Sequence, residues 1–358
     1  MSKQTGIGRY TYEISKEIEK TQIFDITYYY GYYSKYLTNQ THNKTSFIKS
    51  MVLKNATLKK YIRKFLTLAG SMKSQSYDIY WQPSFIPNKY IKAKKIVTTV
   101  HDFSFILYKD FHPRERIEYF EKNFFQNIYK SDIIITGSYY TKQEIINRLD
   151  FDESKIKVIH HGVNHDIFKI YNDINIDIKL PSEFIFCVGS IEPRKNLIGL
   201  LKAYDMLDSN IKQKYKLVMA GFQGWENKQI MQLIKQNEDF IKYLGYISDE
   251  ELAKVYNLAS LFVYPSFYEG FGLPIAEAMA CGTPVITSSV SSLPEVGADA
   301  VAYVNPNNIE DIKEKIMMVL NNKDLQKQMI QQGLKRAKNF TWEKSTKEHI
   351  KIFKEVIS

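Results

Sequence analysis

The apolar positions of this chain fall into short continuous runs, separated by longer stretches in which they recur every three or four residues. FDITYYYGYY, YDIYWQP, KIVTTVHD and DIIITGS in the first half are rich in β-branched and aromatic residues, as are FIFCVGS, YKLVMAG, FIKYLGY, LFVYPS and PVITS in the second. Each run closes on Gly, Ser, Asp or Pro or on an aromatic residue, and each reads as a strand. Segments such as TKQEIINRL and SDEELAKVYNLA follow them with a helical period. The SDEE at 248–251 is a capping box, with Ser248 as N-cap and Glu251 three residues on. Strand, turn and helix in alternation predict parallel sheets covered on both faces, the arrangement of doubly wound α/β domains.

The alternation breaks once, near residues 163–182, where VNHDIFKIYNDINIDIKLPS is polar and without period. A linker is expected over 166–182, between an N-terminal domain (1–165) and a second domain (183–339). FTWEKSTKEHIKIFKEVIS then predicts a final amphipathic helix within 340–358, packing back toward the first domain. Two such domains place a crevice between the carboxyl ends of their sheets, where ligands bind. The first domain opens irregularly. TGIGRYTYEISKEI reads as a glycine turn and helix, but only MSKQ precedes it. Either its first strand is missing, which would expose ladder groups and apolar surface, or the true start lies upstream.

Composition changes this picture little. A length of 358 residues with 44% hydrophobic positions suits two cores. Lys and Arg exceed Asp and Glu by 49 to 39, a net charge of +10. That excess suits anionic partners or a lysine-rich solvated surface, and no nucleic-acid motif organises it. LKKYIRKFLTLAGSMK (58–73) puts Leu58, Tyr61, Ile62, Phe65 and Leu68/Ala69 on one helical face, with Lys59, Lys60, Arg63 and Lys64 on or near the other. It is expected either to dock on an anionic membrane or to pack on its own domain. Cys187 and Cys281 stand in apolar or small-residue contexts and read as buried packing residues. The N-terminus has no apolar signal core and no 18 apolar residues run together, so a soluble cytoplasmic chain is expected, in which the sequons at Asn39, Asn43 and Asn55 are silent.

Two stretches carry chemistry. In VGSIEPRKNL (188–197), Arg194 and Lys195 are expected at the start of a helix that follows a strand. Free N–H groups and two cations would make a phosphate site there, whereas the helix dipole alone disfavours basic residues at that end. In SFYEGFGLPIAEAM (266–279), Gly270 and Gly272 let backbone amides approach a ligand. Pro274 suits the first turn of a helix expected over about 274–281. Glu269 would hang at the strand end and Glu277 would sit near the first helical turn, both able to accept hydroxyl hydrogen bonds. The bland alternative is that Glu277 complements the dipole and Glu269 starts a turn. Asp150-Phe-Asp152 and the cluster His160, His161, His165 are weighed as metal ligands and set aside: the former reads as a solvated loop, and the latter has no further ligand to complete a site.

VGSIEPRKNL and EGFGLPIAEAMACGTPVI resemble the retaining glycosyltransferases of the GT-B fold, family 4, above all bacterial mannosyltransferases that build O-antigen and capsular polysaccharides. TGIGRY, TVHDFSF, TGSYYTKQEI, HHGVNHDIF, GYISDEEL and SSLPEV follow that family's order, so the likeness spans nearly the whole chain. It implies two Rossmann-like domains facing a central cleft and a hexosyl transfer, with mannose from GDP-mannose as the leading donor. A glycan or lipid-linked oligosaccharide would be the acceptor, and no cofactor or metal is implied. By resemblance, Glu277 binds the ribose, Glu269 the donor sugar, Arg194 and Lys195 the pyrophosphate, and Ser190 belongs to the donor-binding set. Amides around Gly270, Phe271, Gly272 and Leu273 face sugar and pyrophosphate, and Tyr246 and Ile247 lie against the base. The Gly6–Gly8 loop approaches the phosphates, and His101 reaches the transferred sugar. Where the family usually has Asn, TSSVSSLPEV has Ser289, which implies tuned donor contacts. A UDP-sugar donor, a nucleotide-sugar epimerase and a silent binding subunit are the alternatives.

Overall fold

A computed structural model describes residues 5–38, 76–225 and 227–358. The basic stretch 58–73 and the three sequons lie outside them. The first helix, Gly6–Thr21, is capped by the Thr5 side chain, which accepts the Gly8 N–H at 3.1 Å. Its buried stripe Tyr10, Ile14, Ile18 faces the core. Among the described residues no strand precedes it. FDITYYYGYY does not form one continuous strand. It folds back as a two-residue antiparallel ribbon, Tyr28–Tyr29 (β1) against Tyr33–Ser34 (β2). Gly31 sits at φ +89, a left-handed conformation that a strand cannot contain.

The first sheet is fully parallel, in the order β3 (Tyr77–Gln82), β4 (Ala93–Val100), β5 (Ile133–Thr136), β6 (Ile156–Val158). Strand β4 runs through the centre, and its last four residues Val97, Thr98, Thr99 and Val100 are wholly buried. Strand β3 is paired only with β4 among the described strands.

The second sheet has six parallel strands in the order β12-β11-β10-β7-β8-β9. These are β7 (Phe184–Val188), β8 (Lys216–Ala220), β9 (Ile241–Tyr243), β10 (Leu261–Tyr264), β11 (Val285–Ser288) and β12 (Ala302–Val304). The chain winds outward from β7 to β9, returns to β10 beside β7, and winds the other way. The pair β7/β10 is therefore the topological switch point, where the loops leaving two neighbouring strands part and leave a crevice. Strand β12 escapes sequence reading because three residues carry too little pattern.

The last helix, Trp342–Ile357, lies against the first helix and strands β3 and β4, with Phe353 near Phe24 and Trp81. The chain crosses between halves at residues 162–163 and 340–342. There the Val163 N–H donates to the Phe340 carbonyl at 3.1 Å, and a Cβ on Gly162 would meet the Trp342 nitrogen at 2.2 Å. One apolar cluster runs through both halves, joining Tyr10, Ile14 and Val97 to Phe271, Leu273 and Ile275.

Candidate active site at the interdomain cleft

The loops at the switch point bring the sequence-selected residues together. After β7, Gly189 and Gly221 cross so closely that a Cβ on Gly221 would lie 1.9 Å from the Gly189 carbonyl oxygen. Pro193–Lys195 then forms a 3₁₀ turn, and the helix begins only at Leu197. Arg194 and Lys195 thus precede the helix, contrary to the sequence expectation. Asn196 explains the difference: its left-handed backbone (φ 53) interrupts the helical path, and its side-chain amide donates to the Pro306 carbonyl at 2.7 Å. They still stand at the positive end of that helix, so the dipole conflict inferred from sequence is met by other charges.

Carboxylates hold the two cations instead. Lys195 Nζ donates to Glu269 Oε1 at 2.6 Å and to the Tyr264 hydroxyl at 2.7 Å, and that hydroxyl donates to Glu269 Oε1 at 2.8 Å. Arg194 Nη1 reaches Glu269 Oε2 at 2.9 Å and the Tyr268 carbonyl at 2.6 Å, while Nη2 reaches Glu192 Oε1 at 2.9 Å. Burial opposes the charge on Glu269, but Arg194 and Lys195 overcome it and pull its carboxyl down to about 2. Lys195 is lowered, first by burial and then by the like charge of Arg194. The Glu269 backbone is fixed as well: its N–H donates to Ser291 Oγ at 3.0 Å and its carbonyl accepts from Ser292 Oγ at 2.9 Å.

Glu277 lies in the helix Leu273–Ala280, entered through Gly272 at φ +104. Its carboxylate is buried (2% exposed) and takes an ion pair from Arg9 of the first helix. The same guanidinium pairs with Asp249, so one side chain of the N-terminal half clamps two carboxylates of the other. Burial raises the Glu277 carboxyl, Arg9 works against that, and Asp249 adds to it. Sequence reading selected Gly6 and Gly8 from TGIGRY and missed Arg9, one residue later. A cation in the first turns of a helix aimed at the cleft was the available signal. Gly6 itself faces Leu273.

His101 is buried at the end of β4, its ring between Tyr10 (5.0 Å) and Phe85 (5.5 Å). Its Nε2 lies 2.7 Å from the Pro83 carbonyl, which can only accept, so the proton sits on Nε2; burial lowers its pKa and keeps the ring neutral. The two halves touch here without spacer, since a Cβ on Gly270 would lie 1.9 Å from the His101 carbonyl oxygen. The Gly270 carbonyl accepts from Ser138 Oγ at 2.8 Å. The buried Tyr268 hydroxyl accepts the Phe103 N–H at 2.9 Å and donates to Glu144. Glu295 receives the Tyr139 N–H at 3.0 Å and pairs with His160 Nε2 at 2.6 Å, capping a helix of the opposite half. A cavity of about 380 Å³ opens beside this contact, walled by Tyr108, Phe111, Tyr140, Phe267, Tyr268 and Ser291 among others.

The remaining candidates divide. Phe271 packs its ring on His161 (4.9 Å) and Phe340 (5.5 Å), and its carbonyl accepts from Ser292 Oγ at 3.0 Å. Tyr246 is half exposed beside Arg9 and Asp249, Ile247 is partly buried, and Ser190 sits at the β7 end. The three histidines scatter: His160 to Glu295, His161 into the core, His165 Nε2 to the Phe340 carbonyl at 3.0 Å. Asp152 caps a 3₁₀ turn through the Ser154 N–H at 2.9 Å. No helix among the described residues is long and apolar enough to cross a membrane.

Comparison with known proteins places this geometry. Residues 4–167 match the model described as Glycosyltransferase Family 4, and residues 172–336 that described as Glycosyl transferases group 1. The chain is 32% identical to the O-antigen chain mannosyltransferase B of Escherichia coli over 98% of its own length and 96% of that protein's. Its fold is similar to sucrose-phosphate synthase from Thermosynechococcus elongatus (TM-score 0.73, 19% identity, 98% and 93% of the two chains). It is also similar to Anabaena Alr3699/HepE, solved in complex with UDP and glucose (TM-score 0.64, 14% identity, 99% and 97%).

Proposed function

This chain belongs to glycosyltransferase family 4 and is a glycosyltransferase of the O-antigen mannosyltransferase type, and from that premise we propose that it moves mannose from GDP-mannose to a glycan or lipid-linked glycan with retention of configuration. The observation that carries this reading is the convergence of Arg194, Lys195 and Glu269 at the switch point between β7 and β10. A nucleotide-sugar needs a carboxylate for its hydroxyls and cations for its diphosphate, and both stand there. Sugar hydroxyls donate to Glu269, and the two cations turn to the phosphates. Neutral His101, its Nε2–H spent on Pro83, keeps Nδ1 to accept a sugar hydroxyl. Glu277 takes the ribose hydroxyls, and Tyr246 and Ile247 the base.

As the C1–O bond to the diphosphate breaks, the leaving group gains about one negative charge, which preorganised cations stabilise. The acceptor hydroxyl attacks C1 from the leaving group's own face. Its oxygen forms the new glycosidic bond and its proton passes to the departing phosphate oxygen. No side-chain nucleophile takes part, and with the countercharge supplied by Arg194 and Lys195 the reaction is proposed to run without a metal. The aromatic cavity beside Tyr268 suits the acceptor sugar, whose C–H faces pack on rings.

A panel of nucleotide-sugars in a thermal-melting assay tests the donor, because a ligand bound to the folded state raises the melting temperature. GDP-mannose is expected to give the largest shift and turnover; a larger shift and turnover with a UDP-sugar would replace it. Turnover lost to a chelator would overturn metal independence, and an inverted anomeric product by NMR would overturn retention.

A further inference from the structure

We propose that Arg9 is a positioning residue that readies Glu277 for the nucleotide ribose only when the two halves are closed on each other. The proposal rests on the reading of Glu277 as the ribose ligand. Arg9 is the fourth residue of the first helix, and both its carboxylate partners, Glu277 and Asp249, belong to the other half. Its guanidinium also lies over the Phe168 ring, 5.7 Å from the centroid, in the segment that joins the halves. The two ion pairs cross between the halves, so they hold only while the halves are packed on each other.

Glu277 has little other support. From the helix Asp249–Leu258 it faces Asp249, a like charge, and Tyr256, whose hydroxyl stands 3.4 Å from Oε2; at the end of its own helix it faces the capping Cys281. A buried carboxyl beside another carboxylate favours its neutral form, and a neutral carboxyl is the poorer acceptor for two ribose hydroxyls. Arg9 works against that balance. Packing of the halves brings the cation to this carboxylate, so closure and nucleotide capture become one event. Arg9 Nε, buried and without a hydrogen-bond partner among the described residues, is placed to meet an oxygen of the bound nucleotide.

Isothermal titration of GDP and of UDP into the whole protein, as wild type, Arg9→Gln, Arg9→Lys and Glu277→Gln, tests this. For the tighter nucleotide, Arg9→Gln is expected to weaken binding about tenfold near pH 7. Without Arg9, burial and Asp249 raise the Glu277 carboxyl, and raising the pH re-ionises it. The deficit should therefore shrink as the pH is raised, while the ratio of Arg9→Lys to wild type stays flat at an intermediate affinity. A purely structural role for Arg9 would give a pH-independent loss and overturns the proposal. Wild-type binding by Arg9→Gln, with Glu277→Gln weakened, overturns it and leaves the ribose reading standing. Unchanged binding by Glu277→Gln overturns both.

Discussion

Glu269 and Glu277 share one short segment, are both buried (7% and 2% exposed), and are held in opposite ways. Glu269 takes two cations and a tyrosine hydroxyl from its own half, and its carboxyl is drawn down to about 2. Glu277 takes its cation from the other half, and its carboxyl is raised. The first charge is built entirely from partners within a single half. The second is conditional. On the proposed assignment, the sugar and phosphate site keeps its charge within one half, and the ribose site depends on the packing of the two.

The largest expected effect comes from breaking the permanent site. Lys195→Ala leaves Glu269 with one cation and removes a countercharge from the leaving diphosphate. Transfer should fall about a hundredfold, the scale of losing one preorganised transition-state contact. Glu269→Ala should cost at least about tenfold in kcat/KM, equivalent to about 1.4 kcal/mol, and it leaves Arg194 and Lys195 as adjacent buried like charges. Steady-state transfer assays on both variants decide, and full turnover in either removes that residue from the site. A melting curve for each separates lost catalysis from lost folding, because an unpaired buried charge is itself strongly destabilising.

Next in size is Gly270→Ala, which attacks the conditional site without touching either carboxylate. A methyl group there meets the His101 carbonyl at 1.9 Å and must push the halves apart. Small-angle scattering should show a larger radius of gyration. Nucleotide binding should weaken about fivefold to tenfold and become dependent on pH in the manner of Arg9→Gln. If Gly270→Ala weakens binding without that pH dependence, the link between closure and Glu277 fails.

The acid limb of stability separates the pair by sign. Glu269 has a folded pKa below its ordinary value of 4.5, so it contributes stability that is present above 4.5 and lost as pH falls toward about 2. Glu277 has a raised folded pKa, so its ionisation costs stability once pH exceeds the unfolded value. Urea denaturation between about pH 5 and about pH 2.5 should therefore show a flatter decline for Glu269→Gln and no flattening for Glu277→Gln. Equal slopes in both variants would erase the distinction.

Much of the permanent site was legible in the sequence and most of the conditional one was not. Strands such as FIFCV and LFVY are buried on both faces and announce themselves as unbroken apolar runs, so the switch point and the loops leaving it followed. FDITYYYGYY carried the same composition and misled, because one glycine at positive φ turned the run back on itself. Arg194 and Lys195 were identified by type and misplaced by a few residues, since the left-handed Asn196 has no side-chain pattern to betray it. Arg9 was hidden for a different reason. Its partner Glu277 lies 268 positions away, and no local period or motif encodes a contact that only two assembled halves can make.

The smallest expected effect concerns the loop after β11, where Ser289 and Ser291 stand two residues apart with unequal duties. Ser289, at the position where the resemblance leads one to expect Asn, spends both its N–H (2.9 Å) and its Oγ (3.2 Å) on the Val304 carbonyl at the β11–β12 edge. Its side chain is exposed, and no hydrogen bond ties it to the charge cluster. Ser291 instead accepts the Glu269 N–H and holds a strained left-handed backbone at φ 55 to do so. Ser291→Ala frees the Glu269 backbone while leaving both cations in place, and should lower transfer about threefold to tenfold, the cost of one hydrogen bond of about 1 kcal/mol. Ser289→Asn should change donor KM by less than about threefold and leave kcat alone. If the order is reversed, with Ser289→Asn the larger, then this loop reads the donor directly, and Glu269 is held by its cations without help from the backbone.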